Sequence, residues 1–493
     1  MPVSPTEVSP EGWPMVEVLS CPTPVLQDIT LDPDMTPKYE TPTSILIIGA
    51  GVFGLSTALA LTKRSEFASA SITVLDRSQE AGVFPSRDAS SIDSSRIIRA
   101  DYADPVYAAL ASEAQVQWRQ TDPGSLGGDG RYTESGFILG ADSGPMVRDD
   151  GLPTGLAYAK KSWINAMALA HKEGRPLSSI RVLKSPWTVG MVSGTGGEFA
   201  YWGYLNTASG WADAEASMKW YYERVVATGR VSFVNGTAES LETDQSLRRV
   251  TGARLKDGTT LLADLVIVAA GAWTPTLVDL SSQVVATGQV LGYMDITEEE
   301  QKRLDKIPVM LNVSTGLFAI PPRNRVLKVA RHAYGYLNPK PVSTPPLGIP
   351  GSPRPELISQ PYTHLDDSAL SIPADAEKEL RDGLQKMIPW PELQDRPFSR
   401  TRLCWYTDTP TGDWLIDYHP YWQGLFIATG GSGHAFKFLP VIGDKIVDII
   451  TGHCPEELSG KWKWRAYNCD QIQTEDGSRG GQPGLILGDK LGK

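Results

Sequence analysis

The strongest periodic signal in the chain runs from Ser44 to Arg64. Ile45-Leu-Ile-Ile48 is an unbroken apolar run of strand length, and Val52 to Lys63 has the alanine and leucine content of a helix. Read as one piece, Ile45 to Thr62 is about the length that crosses a bilayer. The glycines at 49, 51 and 54 break it instead into strand, tight turn and helix. A second strand over Ser71 to Leu75 closes a βαβ unit with Asp76 at its end. Further strands are predicted at 231–234, 264–269 and 425–428, and helices at 105–120, 212–228, 376–387 and 440–451. From Arg325 to Gly335 polar and apolar residues alternate, the period of a half-buried strand, which puts Lys328, Ala330, His332 and Tyr334 on one face.

Elsewhere the pattern fades. Residues 1–43 are rich in Pro, Thr, Ser, Asp and Glu without any sustained period, and read as a mobile or surface-draped arm. Residues 467–493, interrupted by SRGGQPG, read the same way. The strand-turn motifs lie far apart, at 45–76, 231–271 and 404–437. If all three serve one nucleotide site, another domain is inserted between them, so the expected fold is α/β with two interleaved domains.

At 493 residues the chain exceeds what one compact core usually holds. Its 41% hydrophobic and 21% charged content is that of a globular enzyme, and 47 glycines with 37 prolines imply many loops without a collagen-like period. The formal charge of −11, with no run of Lys and Arg, makes nucleic acid or an anionic membrane a poor partner. Of four cysteines (Cys21, Cys404, Cys454, Cys469) no two sit at CxxC spacing, so neither a disulfide scaffold nor a metal site is expected. Residues 1–40 lack the basic and apolar regions of a secretory signal, and the final LGDKLGK does not match the peroxisomal SKL type; the cytoplasm is the expected compartment.

Gly49-Ala-Gly-Val-Phe-Gly54 is a GxGxxG turn between a strand and a helix. The first glycine permits the turn, the second admits a pyrophosphate, the third lets helix pack on strand, and the helix N-terminus offers free N–H groups to the phosphates. Asp76, 22 positions beyond Gly54, is placed to accept hydrogen bonds from a ribose, which favours NAD or FAD over NADP. Ala263 to Trp273 reads as a strand entering a small-residue turn, Ala269-Ala270-Gly271. Its small residues fit either close approach of a ligand or a packed strand end.

These motifs, with Ser94-Ser-Arg-Ile-Ile-Arg99, the AAGAW turn, and Cys404-Trp-Tyr-Thr-Asp-Thr-Pro410 running to Gly431-Ser-Gly-His-Ala-Phe-Lys-Phe438, resemble the D-amino-acid-oxidase-like flavoproteins. The resemblance is nearest to the branch of monomeric sarcosine oxidases and fungal fructosyl amino acid oxidases (amadoriases), and LSGKWKWR at 458–465 is similar to its fungal members. It covers about residues 44–466 and implies a Rossmann-type FAD-binding domain (44–138, 201–285, 404–466) interleaved with an α+β substrate domain on a mixed sheet (139–200, 286–403), acting as a monomer.

By itself Cys404 reads as a small buried hydrophobe; the resemblance implies a covalent bond from its sulfur to FAD. Arg96 reads as a surface charge; the resemblance places it beside the flavin, with Ser94 and Ser95 contacting the cofactor. Lys328 and His332 read as residues of a solvated sheet face; the resemblance makes Lys328 the residue that serves reaction with oxygen and His332 a wall of the same pocket, with Arg99 a cation on the substrate side. Further cofactor contacts are implied at Val52, Phe53, Arg77, Ala238, Gly271, Trp273, Gly431, Gly433 and His434. Lys437 is implied to meet a substrate carboxylate while also neighbouring the cofactor, and Phe318 and Ile92 to line the substrate side.

The implied activity is FAD-dependent oxidation of an amine to an imine, with oxygen reduced to hydrogen peroxide. Where sarcosine oxidases carry a histidine pair, this chain has Ser91 and Ile92, so the substrate side differs. That departure, with the arm at 1–43, points to a specialised member oxidising an N-methylated, amino-acid-derived intermediate of fungal alkaloid biosynthesis, of the fumisoquin kind. Deglycation of fructosyl amino acids is the competing expectation. An NAD-dependent dehydrogenase is a more distant one, since it has no use for Cys404 or the 430–437 loop.

Overall fold

In a computed structural model, residues 41–78, 82–281, 283–465 and 472–492 are described. A six-stranded sheet is assembled from three distant stretches of chain, in the order Leu415–Tyr418, Leu425–Thr429, Leu265–Val268, Ser44–Ile48, Ser71–Asp76 and Val231–Asn235. All neighbours are parallel except the first pair. Ile45, Leu46, Ile47 and Ile48 are all buried, as a parallel strand covered on both faces requires. On one face the helices Val52–Lys63 and Ile442–Ile450 cross closely. A Cβ on Gly443 would lie 2.0 Å from the Ser56 carbonyl oxygen, and the Ser56 hydroxyl donates to the Leu439 carbonyl at 2.7 Å.

The predicted strands are all present, and the four further helices form at Pro105–Trp118, Ala214–Ala227, Ala374–Met387 and Ile442–Ile450. Asp104 and Asp213 cap the first two by accepting from backbone N–H groups, as short polar residues before an apolar period should. Helix Gly155–Lys172 and strand Val285–Asp295 were not predicted.

A ten-stranded mixed sheet forms the second layer. Its centre is Val285–Asp295, paired antiparallel on one side with Val326–Arg331 and on the other with Arg400–Asp408. The register sets Tyr293 opposite Lys328, Leu291 opposite both Ala330 and Arg402, and Gln289 opposite Cys404. Since directly opposed residues share a face, Gln289, Leu291, Tyr293, Lys328, Ala330, Arg402 and Cys404 form one surface. Phe318, paired with Ala330, extends it.

Two expectations are corrected. The strand ends at Arg331, so Tyr334 leaves the face shared by Lys328 and Ala330 and donates instead to Glu475, at 2.9 Å. The C-terminal stretch is not a draped arm over residues 472–492. Leu485–Ile486 adds a parallel strand beside Tyr336–Leu337, Gly480 pairs with Ala333, and Leu487 is buried. The pattern missed this because the segment is held by single long-range contacts and not by a period. The expected arm lies, except for residues 41–43, outside the described residues, as do Cys21 and Cys469.

Arg479 anchors this return. Its guanidinium donates to the Asp408 carboxylate and to the Ser432 carbonyl, both side chains of the ion pair being almost wholly buried. Removing one partner of such a pair costs about 3–5 kcal/mol, because the other charge stays buried. Arg479→Met should lower the midpoint of thermal unfolding and open the chain after Thr474 to limited proteolysis. Burial already raises the Asp408 carboxyl. Without Arg479 it holds a proton that the unfolded chain releases, so the stability deficit should grow as pH rises above the ordinary carboxylate range.

Candidate functional site

A cavity of about 570 Å³ runs from the carboxyl ends of the parallel strands to the shared face of the large sheet, where ligands bind in open α/β sheets. Its near end is the glycine turn. Gly49 has φ +110°, and a Cβ there would lie 2.4 Å from the Ala269 carbonyl oxygen. Gly54 abuts Gly49, where a Cβ would come within 1.8 Å of its carbonyl oxygen, so Gly54 shapes the turn and does not line the cavity. Gly51 differs: nothing lies within 4 Å of an added Cβ, so the space above it is free. No side chain caps the helix that follows and no acid stands in its first turn, leaving its N–H groups facing the cavity. Asp76 accepts from the Ala50 N–H at 2.7 Å, and burial pushes its carboxyl up to about 6. Arg77 lies over the Trp273 ring at 4.3 Å. Val52, Phe53, Ala238 and Gly271 complete this end.

Midway, a buried carboxylate gathers the cations. Asp93 Oδ2 receives Lys328 Nζ at 3.1 Å and the Arg96 guanidinium, while Oδ1 receives the Tyr293 hydroxyl at 2.8 Å and the Ser94 N–H at 2.7 Å. Burial pushes the Asp93 carboxyl up, but Lys328, Arg96 and Arg402 overcome this and hold it below the usual carboxylate range. Lys328 is only 1% exposed, and burial brings its ammonium down to about 8, with Asp93 opposing that fall. Arg96 also donates to Cys404 Sγ at 3.5 Å, and the thiol is buried.

The far end holds two further cations. Arg99 is 7% exposed and lies 4.6 Å over the Tyr102 ring. One terminal nitrogen reaches the Tyr158 hydroxyl at 3.4 Å, and the other, Nη1, has no partner among the described residues. Lys437 is 5% exposed; burial, then Arg99, pushes its ammonium well below the usual lysine range. Its Nζ donates to the Tyr102 hydroxyl at 2.8 Å and the His434 carbonyl at 2.7 Å. His434 Nε2 faces the Gly412 carbonyl at 2.9 Å and so carries the proton, which leaves Nδ1 to accept from Tyr102 at 3.1 Å. Burial, then Arg479, keeps His332 neutral, its Nδ1 3.4 Å from the Arg479 guanidinium.

The structure thus brings Gly49, Gly51, Val52, Phe53, Asp76, Arg77, Arg96, Arg99, Ala238, Gly271, Trp273, Phe318, Lys328, His332, Cys404, Gly431, Gly433, His434 and Lys437 around one cavity. Besides Gly54, three expected residues do not line it. Ile92 packs against the apolar core of the six-stranded sheet, and its carbonyl accepts from Arg402. Ser94 and Ser95 instead fix the Asp93 loop, the Ser95 carbonyl receiving both Lys328 and Arg96. Sequence reasoning missed Asp93, Tyr102, Tyr158 and Tyr293. The spacing Asp93-x-x-Arg96 was the one local signal available for any of them.

These residues fit an FAD. The open space above Gly51, uncapped helix N–H groups and a half-buried acid at the next strand end suit a dinucleotide, and Arg96 and Lys328 midway suit an electron-accepting ring.

Residues 44–449 match the family of FAD dependent oxidoreductases. The chain is 34% identical to the amino acid oxidase imqH of Aspergillus flavus, over 83% of this chain and 93% of that one. It is 30% identical to the amino acid oxidase fsqB of Aspergillus fumigatus, over 83% and 92%. Among solved structures, fructosyl peptide oxidase from E. terrenum superimposes with a TM-score of 0.74 at 27% identity, covering 91% of this chain and 97% of that one. No described helix is long and apolar enough to cross a membrane, and no described cluster of His, Cys, Asp and Glu could hold a metal ion.

The empty space above Gly51 gives a test that does not depend on turnover. Gly51→Val should leave a folded protein of near-native Tm, with a branched side chain standing where a pyrophosphate would lie. Its flavin content, read as the ratio of visible to ultraviolet absorbance, should fall at least about tenfold, the equivalent of about 1.4 kcal/mol.

Proposed function

The chain belongs to the family of FAD-dependent oxidoreductases, and on that premise we propose that it oxidises a secondary amine derived from an amino acid, bearing a carboxylate and an apolar N- or side-chain substituent. One observation carries the reading: Arg99, buried and with Nη1 unpartnered, stands beside buried Lys437 at the closed end of the cavity. Asp101, the acid nearest to Arg99 in sequence, is occupied by Asn206 and Ser209. A buried cation without a partner is costly, and an incoming carboxylate supplies the missing charge. Leu291, Leu311, Phe318, Ile320 and Ala330 form an apolar wall opposite, which suits an alkyl or aryl group.

When bound, FAD supplies an acceptor for the two electrons of the C–H bond next to nitrogen and passes them to oxygen, which leaves as hydrogen peroxide. The protein does the rest. Arg99 and Lys437 hold the carboxylate, and the Tyr102–His434 relay fixes the lysine. With Arg96, Arg99 and Lys328 on the wall, a protonated amine is repelled and the free base is favoured, which leaves the nitrogen lone pair available. Arg96 and Lys328 stand where reduction would add negative charge, and Lys328 would serve the reaction with oxygen. Cys404, buried and held by Arg96, would attach the cofactor covalently.

The amino acid oxidases imqH and fsqB support an amino-acid-derived substrate, and we read the chain as a member of that kind in secondary metabolism. The likeness to fructosyl peptide oxidase keeps one other reading, deglycation of fructosyl amino acids.

The reading is tested by peroxide release from matched concentrations of N-methylated aromatic amino acids and fructosyl amino acids. Turnover of the first group is expected; turnover of the sugar adducts alone would reverse the assignment. Arg99→Gln and Lys437→Met should each raise KM for the acid by about 2–5 kcal/mol and much less for the corresponding amide. After acid precipitation flavin should stay with the pellet, and Cys404→Ala should release it to the supernatant.

A further inference from the structure

We infer that Asp93 is a positioning residue, which fixes Lys328 and Arg96 against the cavity and keeps Lys328 cationic through neutral pH. The proposal rests on the reading that Lys328 serves the flavin side of the reaction.

Asp93 is not free to follow the groups it binds. Its main-chain carbonyl accepts the Glu215 N–H at 3.0 Å and its Oδ1 accepts the N–H of Ser94, so a helix N-terminus fixes its backbone and the next peptide fixes its carboxylate. Tyr293, on the central strand of the large sheet, holds the same oxygen from the front. That leaves Oδ2 for Lys328 and Arg96, which also share the Ser95 carbonyl. One carboxylate thus serves two cations that arrive from different elements, and the lone pairs of both oxygens are engaged.

The charged and titratable groups around Lys328 come from every neighbouring element. Asp93 and Arg96 come from the 91–98 segment, Tyr293 from Val285–Asp295, Arg402, Cys404 and Tyr406 from Arg400–Asp408, and neutral His332 follows on its own chain. Phe318 presents a ring 6.0 Å from Nζ. Asp93 is the one carboxylate among them. Burial and the nearby arginine both press Lys328 to shed its proton, and Asp93 opposes them at 3.1 Å. Without it nothing but the distant Cys404 thiol would oppose that loss among these groups, and the point charge on the cavity wall would be given up at lower pH.

The experiment uses the holoenzyme and follows the visible absorbance of the bound oxidised flavin across pH, alongside the rate at which reduced enzyme reacts with oxygen. The native protein should show an inflection near pH 8, where Lys328 loses its proton, and reoxidation should slow above it. Asp93→Asn should move both downward by about one to three pH units, the effect of an adjacent opposite charge. Asp93→Glu keeps the charge but displaces it, and should fall between; it also decides the matter if the asparagine variant does not fold. Lys328→Met should abolish the spectral inflection, and adding Asp93→Asn to it should bring no further shift. If Lys328→Met retains the inflection, the reading of Lys328 fails. If it removes the inflection while Asp93→Asn or Asp93→Glu keeps it near pH 8, the role of Asp93 is overturned and that of Lys328 stands.

Discussion

Taking charge out of water governs this molecule. Four basic side chains, Arg96, Arg99, Lys328 and Lys437, are drawn into one cavity that a chain of net charge −11 could easily have lined with acid. Each desolvated ion carries a penalty of several kcal/mol unless an opposite charge or a set of hydrogen bonds meets it. Asp93 meets two of them. The other two are met by tyrosines and carbonyls, which satisfy donors without neutralising charge. Charge is therefore partly compensated by Asp93 beside the flavin site and left uncompensated at Arg99, where the substrate would sit, a division that selects an anionic ligand end before any shape is read.

The division depends on strand register. Tyr293 reaches Asp93 because it lies opposite Lys328 on the neighbouring strand, and Cys404 reaches Arg96 because Gln289 sets it in the same row. A slip of one residue along Val285–Asp295 would turn Tyr293, Leu291 and Gln289 to the other side of the sheet. The buried ion cluster and the pairing of these three strands thus specify each other.

Much of this was legible in the chain. The GxGxxG turn with its acid, and the alternation through Lys328, are local patterns whose physics is complete within about thirty residues. Asp93 was not legible, because its partners Tyr293 and Lys328 are 200 and 235 positions away and its one local signal, the spacing to Arg96, suits a surface pair equally well. The helix Gly155–Lys172 was hidden for another reason. Tyr158, Ser162, Ala166 and Ala170 are buried at a spacing of four, but three of them are too small or polar to mark an apolar stripe. Tyr334 went astray because alternation gives a strand's faces and not its end.

The six-stranded sheet draws on the chain three times, and its Leu425–Thr429 strand follows its Ser44–Ile48 strand by more than 370 residues. Until that strand has left the ribosome, Leu265–Val268 has an exposed edge, the loop carrying Gly431 to Lys437 is absent, and Cys404 has barely emerged. A nascent chain can form the first βαβ turn early, since its contacts are local, but it cannot close the cavity around a dinucleotide. The cavity is complete only once the chain through Lys437 has emerged, and the edge of an unfinished parallel sheet is what a chaperone would have to shield until then.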